Sequence, residues 1–166
     1  MPTVAQQNSS VRRAGQKGSA IVEAALIFLP FFALILAIID FSVAIFIKNT
    51  LYLATREGCR YAITGQVEPG MGHDASIRSV VKRYSMGFLN GEDADAMIHI
   101  EYYDPRTLAA VSGNGSNRGG NIVEVSVQDF PWLWMAPLMR ATGAMHFSAA
   151  SSDVMEPSPG GVPPNR

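Results

Sequence analysis

The three histidines of the chain are the first candidates for chemistry, because imidazole serves most often in metal sites and acid–base sites. They are His73, His99 and His146. None stands in an H-x-x-x-H or H-E-x-x-H pattern, and Cys59 is the single cysteine, so the sequence lacks zinc-ligand spacing. Strands could bring His99 and His146 together with Glu101, but nothing in the spacing supports it. We therefore expect no metal ion and no other cofactor.

Two other features fail as signs of catalysis. Residues 113–120, GNGSNRGG, do not lead a strand into a helix through a Lys-Ser/Thr ending, so they are not a phosphate-binding P-loop. Cys59 stands near arginines that could lower the pKa of its thiol, but no base accompanies it. We expect no catalytic residue and no enzymatic activity.

The dense apolar run in the first third of the chain predicts a membrane anchor. Residues 24–39 are apolar without exception, and the run resumes after Asp40 as far as Ile47. As a helix, residues 24–47 would measure about 36 Å, more than the roughly 30 Å of a bilayer core. Arg12, Arg13 and Lys17 precede the run, and no acidic residue lies in 1–18, which predicts a cytoplasmic N-terminus and an exported remainder.

A secretory signal peptide is the alternative reading of this segment. Its apolar region usually has only about 7–15 residues and ends at a small-residue cleavage site. Here Lys48-Asn49-Thr50-Leu51 continues the helical pattern instead, so we expect the helix to be retained. The net charge of −1, from 13 basic and 14 acidic residues, offers no basic face for nucleic acid, and we expect no such partner.

Three residues of the apolar run exceed what a plain anchor requires. Pro30 predicts a kink. Ionisable side chains in a membrane cost a few kcal/mol, so Glu23 and Asp40 are candidates for helix pairing during assembly. Asp40 has a second interpretation, in which it simply lies at the outer headgroup level. Glu23 belongs to a more specific sequence pattern.

A basic segment ends at Lys17-Gly18, and Glu23 is the fifth residue after that glycine. The pattern resembles type IV prepilin-like leaders, which an aspartyl prepilin peptidase of the inner membrane cuts immediately after the glycine. The resemblance implies cleavage between Gly18 and Ser19. A glycine admits the backbone to the peptidase cleft, and the Glu23 carboxylate could neutralise a lipid-buried α-amino group on a neighbouring helix.

The likeness extends from Gly18 to Gly65 and includes the segment T-R-E-G-C-R-Y-A at residues 55–62. Over this range the chain is similar to the TadE-like family, minor pseudopilins of the tight-adherence (Flp-type) pilus machinery. Arg56, Glu57, Arg60 and Tyr61 match the family motif, whereas Cys59 stands where a small residue is usual. The resemblance implies a single-pass protein of the bacterial inner membrane with a periplasmic domain. Its partners would be prepilin peptidase, a sibling TadF-like pseudopilin and the Flp pilus machinery.

Ala54, Gly58 and Ala62 form a stripe of small residues spaced four apart on the continuing helix. Such stripes let two helices approach closely. We favour pairing with a sibling subunit, and the alternative is packing against the chain's own domain.

Beyond a turn-rich linker at residues 65–72, the pattern predicts one short helix and a small sheet. The helix is expected over 75–89, with Asp74 as its N-cap. Alternation predicts strands at 97–103, 121–128 and 145–155. The inward-facing residues are expected to be Ile98, Ile100, Tyr102, Val123, Val125 and Val127.

The apolar segment 130–139 holds both tryptophans. It could cap one end of the sheet, or it could contact the outer membrane leaflet or a partner, since tryptophan favours interfaces. The turn-rich tail 157–166 is expected to be disordered.

The predicted fold class is α+β: a long N-terminal transmembrane helix continues into a small pilin-like domain with a short helix and a three- to four-stranded antiparallel sheet. We expect a cytoplasmic leader at 1–18, the extended helix at 19–64, a periplasmic domain at 65–156 and the tail at 157–166. An uncleaved single-pass protein with a periplasmic ligand-binding or sensor domain is the alternative function.

Overall fold

The computed structural model describes residues 12–136, 140, 143–158 and 160–166, with side chains described from Gly18 onward. The fold is α+β, as predicted, with a long helix followed by a short helix and a three-stranded antiparallel sheet. The elements in chain order are α1 (Arg12–Ile63), α2 (His73–Tyr84), α3 (Ala94–Met97), β1 (Ile98–Tyr103), β2 (Ile122–Trp132) and β3 (Met145–Val154).

The helix α1 has 52 residues and continues through Pro30. At 1.5 Å per residue it is about 78 Å long. Its first half exposes apolar side chains on nearly all sides as far as Ile39. Within the described residues it is the one helix long and apolar enough to cross a membrane, with a mean hydropathy of 2.7 in its most apolar window.

The second half of α1 forms part of a hydrophobic core. Asp40 is the first residue of the helix that is fully buried, and the buried positions then recur every three or four residues. This spacing places them on one face of a helix. The buried face, called here the domain-facing stripe, consists of Asp40, Ala44, Ile47, Leu51, Ala54, Gly58 and Ala62.

The sheet has the order β1-β2-β3, and each strand pairs with its neighbour in antiparallel register. Ile98 lies opposite Val127, and Val125 lies opposite Ser151. The predicted inward faces of β1 and β2 are confirmed, because Ile98, Tyr102 and the three valines of β2 are buried. β2 runs to Trp132, beyond its predicted end, through an irregularity between Val127 and Phe130.

The start of α2 differs from the prediction. The helix begins at His73 with Gly72 as its N-cap, so Asp74 lies in the first turn and does not cap the helix. The Asp74 side chain instead accepts a hydrogen bond from Tyr102. The Asp74 carboxylate therefore bonds a side chain that is distant in the sequence, whereas the local pattern predicted that it would cap the helix.

The prediction of a disordered tail at 157–166 is wrong for the residues that the structure describes. The Asn165 carbonyl accepts the His73 N–H at 2.7 Å, and Asn117 Nδ2 donates to the Pro164 carbonyl at 2.9 Å. Arg166 pairs with Asp74 at 2.7 Å. Polar atoms of the domain bond two carbonyls of the tail backbone, and the composition of the tail alone does not indicate these partners.

Candidate functional site

Gly18 lies near the start of the exposed part of α1, and neither packing nor backbone geometry explains its glycine. A Cβ placed on Gly18 would meet nothing within 4 Å, and its φ lies outside the left-handed region. Ser19 and Glu23 are also exposed, on a helix surface that is otherwise apolar. Processing at Gly18-Ser19 and pairing through Glu23 stay predictions.

Asp40 is fully buried and holds a loop of the α+β domain against α1. Its Oδ1 accepts the Met135 N–H at 2.8 Å, and its Oδ2 accepts the Ala136 N–H at 2.7 Å. Hydrogen bonds to a carboxylate are stronger than those between neutral groups. The Trp134 ring packs edge-on against Phe41, with ring centroids 5.7 Å apart. We call residues 133–136 the Trp134 loop.

This contact changes the interpretation of Asp40. The carboxylate does not lie free at the headgroup level, since its side chain is 0% exposed. Both of its oxygens accept hydrogen bonds within the chain and neither is accessible, so a sibling helix could reach Asp40 only if the Trp134 loop moved away. The Trp134 loop therefore lies on α1, where the exposed apolar half of the helix ends, rather than only over the end of the sheet.

The small residues Ala54, Gly58 and Ala62 are also covered by the chain's own domain. A Cβ on Gly58 would approach Val81 Cγ2 of α2 to 2.4 Å and Val125 Cγ1 of β2 to 3.4 Å. The alternative of packing within the chain is thus the arrangement that this structure contains. The prediction that these residues pair with a sibling subunit is corrected accordingly, because the domain of the same chain already covers them.

The motif residues Arg56, Glu57, Arg60 and Tyr61 lie on the sides of α1 next to this stripe. Both arginines are exposed, whereas Glu57 and Tyr61 are half-buried. Glu57, Arg60 and Tyr61 line an open cleft of about 300 Å³ together with residues of α2. Polar groups in this cleft are accessible to a partner, and no cofactor is needed to explain them.

The Cys59 thiol is not suited to be a nucleophile. It is 2% exposed, and burial raises its pKa to about 11, against a lowering by its hydrogen bond to Ser151. The nearby Asp153 and Glu124 carboxylates make smaller contributions to the same raised pKa. A thiol with so high a pKa carries almost no thiolate at neutral pH.

His73 is buried in a polar cluster that the sequence did not predict. Its Nδ1 lies 3.2 Å from Tyr102 Oη and 3.2 Å from Asn117 Nδ2. Because an amide nitrogen only donates, Nδ1 accepts and the imidazole is neutral. Burial, opposed by the Asp74 carboxylate, lowers the pKa of His73. The Arg166 guanidinium lies 4.8 Å from the centre of the Tyr102 ring and closes the cluster.

The other two histidines are held apart by the sheet. His99 of β1 pairs with Ser126, and His146 of β3 pairs with Pro131, so β2 and several positions of register separate them. Among the residues that the structure describes, no group of three or more metal-ligating side chains comes together.

The buried state of His73 makes the stability of the domain depend on pH. Unfolded His73 binds a proton near pH 6.5, whereas the folded state resists protonation, so stability should be full above that pH and fall below it. The loss can reach about 1.4 kcal/mol per pH unit. Urea unfolding at a series of pH values measures it.

His73→Gln should flatten the decline between pH 6.5 and the lower pH at which carboxylates protonate. His99→Gln is the matched control, because that half-buried side chain has no part in the cluster. An unchanged slope in the His73 variant would assign the pH dependence to other groups.

Together these features describe a protein with an exposed apolar helix long enough to cross a membrane, whose α+β domain is folded on the far half of that helix. Residues 18–60 match the family model described as TadE-like protein. The match confirms the resemblance over a range that includes Gly18, Glu23 and residues 55–60 of the motif, and it is consistent with a component of Tad pilus assembly. No curated protein and no solved structure matches the chain.

Proposed function

We propose that this chain is a minor pseudopilin, a membrane-anchored assembly component of the Flp-type (Tad) pilus system that prepilin peptidase matures between Gly18 and Ser19. The helix α1 crosses the inner membrane once, with the leader in the cytoplasm and the domain in the periplasm. The match over residues 18–60 supports this assignment, since it begins at the proposed cleavage site.

The observation that carries the proposal is the unexplained glycine at position 18. Glycine in a helix interior costs roughly 1 kcal/mol relative to alanine. At Gly58 the close packing that glycine allows offsets this cost. Gly18 has open space around it, and its φ angle is one that other residues also adopt. A residue that the fold does not need and that weakens the helix suits a site where a peptidase must draw out the chain.

Glu23 fits the same scheme. Its carboxylate is exposed on an apolar helix surface, where a membrane would make an unpaired charge costly. Cleavage at Gly18 creates an α-amino group at Ser19, and the same group on a sibling subunit, such as a TadF-like pseudopilin, supplies the opposite charge. Assembly of two helices would thus neutralise two groups that are unfavourable in isolation.

Gly18→Ala should abolish maturation, because even a methyl group obstructs a cleft that accepts only glycine before the cut. Intact mass spectrometry of membrane-extracted protein, expressed with a prepilin peptidase, distinguishes a chain starting at Ser19 from one that keeps residues 1–18. Gly91→Ala is the matched control, since Gly91 also has open space around it.

Normal processing of the Gly18 variant, or an intact leader on the unaltered protein, would contradict the proposal. An intact leader would favour the alternative of an uncleaved single-pass protein with a periplasmic binding or sensor domain.

A further inference from the structure

We propose that the Trp134 loop inserts into the outer leaflet of the same membrane that α1 spans, and that Asp40 fixes it at that depth. The inference rests on the proposed membrane anchoring of α1. It adds a second contact with lipid, made by the exported domain.

The position of Asp40 along the helix carries the first step. From Gly18 to Asp40 the helix rises by about 33 Å, slightly more than the roughly 30 Å thickness of the hydrocarbon core. With Gly18 at the inner boundary, Asp40 lies at the outer one. Because the Asp40 carboxylate bonds the Met135 and Ala136 amides, the Trp134 loop lies at the same level.

The side chains of the loop carry the second step. Leu133 is 66% exposed and Met135 is 53% exposed, whereas Trp134 and Ala136 between and beside them are buried. The loop therefore turns two large apolar side chains outward. The adjacent face of α1 is apolar too, since Phe41 and Ile45 are exposed. This surface is continuous with the lipid-facing half of the helix.

The backbone of the loop carries the third step. Unpaired amide groups are costly in a membrane, which normally keeps irregular loops out of it. Here Asp40 accepts two of the N–H groups, and Arg140 Nε donates to the Trp134 carbonyl at 2.8 Å. The arrangement lowers the polar cost of placing Leu133 and Met135 among lipid chains.

Tryptophan fluorescence tests the insertion directly, since the chain has 2 tryptophans, of which Trp134 lies in the loop and Trp132 immediately precedes it. The full chain is reconstituted into phosphatidylcholine vesicles that carry bromine either near the glycerol end of the acyl chains or near their tips. We expect stronger quenching by bromine near the glycerol end. The converse order, or no quenching by either lipid, would overturn the proposal.

Variants with an introduced carboxylate separate the loop from the rest of the domain. Leu133→Asp and Met135→Asp should each reduce the quenching by roughly half or more, because a charge resists entry into lipid. Val162→Asp is the matched control: Val162 is 76% exposed and belongs to the tail that packs near the far end of α1. Quenching that is equal in all three variants would contradict an inserted loop.

Flotation of the vesicles distinguishes the two proposals. If the chain floats with the vesicles but brominated lipids do not quench its tryptophans, membrane anchoring by α1 is supported and insertion of the loop is contradicted. The exposed apolar residues of the loop would then be available to a protein partner. If the chain does not float, the anchoring itself fails and the inference falls with it.

Discussion

Replacing Gly58 with alanine should destabilise the folded domain by about 1–3 kcal/mol, the usual cost of overpacking a well-filled core. The new Cβ would stand 2.4 Å from Val81 Cγ2, well inside normal contact. The better helix propensity of alanine offsets roughly 1 kcal/mol, so a net loss can only come from the collision. Val81→Ala removes the colliding methyl group, and the double variant should therefore recover part of the stability.

Urea unfolding of the full chain in detergent measures this effect, with alkylation of the buried Cys59 as the readout. The thiol should react when the domain opens, since it is 2% exposed in the folded state. Gly18→Ala, made in a host without prepilin peptidase, is the matched control on the same helix, because a Cβ there meets nothing within 4 Å. Equal midpoints for the two variants would show that the close approach of α1 to α2 is not tight.

Replacing Asp40 with leucine should detach the Trp134 loop from α1 while leaving the sheet folded. The change leaves the Met135 and Ala136 amides without an acceptor, at a cost of roughly 1–3 kcal/mol for each buried donor. Since about 1.4 kcal/mol corresponds to a factor of ten, the amides of the loop should exchange with solvent roughly a hundredfold faster. Asp40→Asn keeps one acceptor oxygen and should give an intermediate rate.

Hydrogen–deuterium exchange of the chain in lipid nanodiscs, read by mass spectrometry on peptides of the loop, measures the detachment. Ser42→Ala is the matched control, because the Ser42 hydroxyl donates only to the Ile38 carbonyl of the same helix, at 2.7 Å. Peptides of β1 should be unaffected in every variant. Loop exchange that is unchanged by Asp40→Leu would show that other contacts hold the loop.

The sequence predicts the parts of this fold that depend on local periodicity. Alternation in residues 97–103 and 121–128 locates two strands and their buried faces, because the side chains of a strand point to opposite sides in turn. The run of apolar residues before Asp40 identifies the exposed helix by its length. A stretch of that length has no place in so small a core.

Contacts between distant residues were beyond reach of the same reasoning. Asp40 and Met135 are 95 positions apart, and no local pattern links a carboxylate on a helix to an amide in a loop. The prediction of a disordered tail fails for the same reason, since the partners of the tail are distant in the sequence: Asn117 of the β1–β2 loop and Asp74 of α2. Likewise, the spacing of Ala54, Gly58 and Ala62 predicts that something approaches α1 closely, but not whether it belongs to the same chain.

The unbroken helix α1 also sets the direction in which each of its faces points. At about 100° per residue, Asp40 and the other residues of the domain-facing stripe cluster on one side of the axis, and Glu23 points about a quarter turn away from that side. The domain does not leave the direction of Glu23 clear along the helix: Phe41 and Cys59, 18 and 36 residues beyond Glu23, point the same way. Phe41 packs against Trp134, and Cys59 is 2% exposed. A subunit that pairs through Glu23 could therefore follow this face of α1 only as far as Phe41, where the Trp134 loop lies.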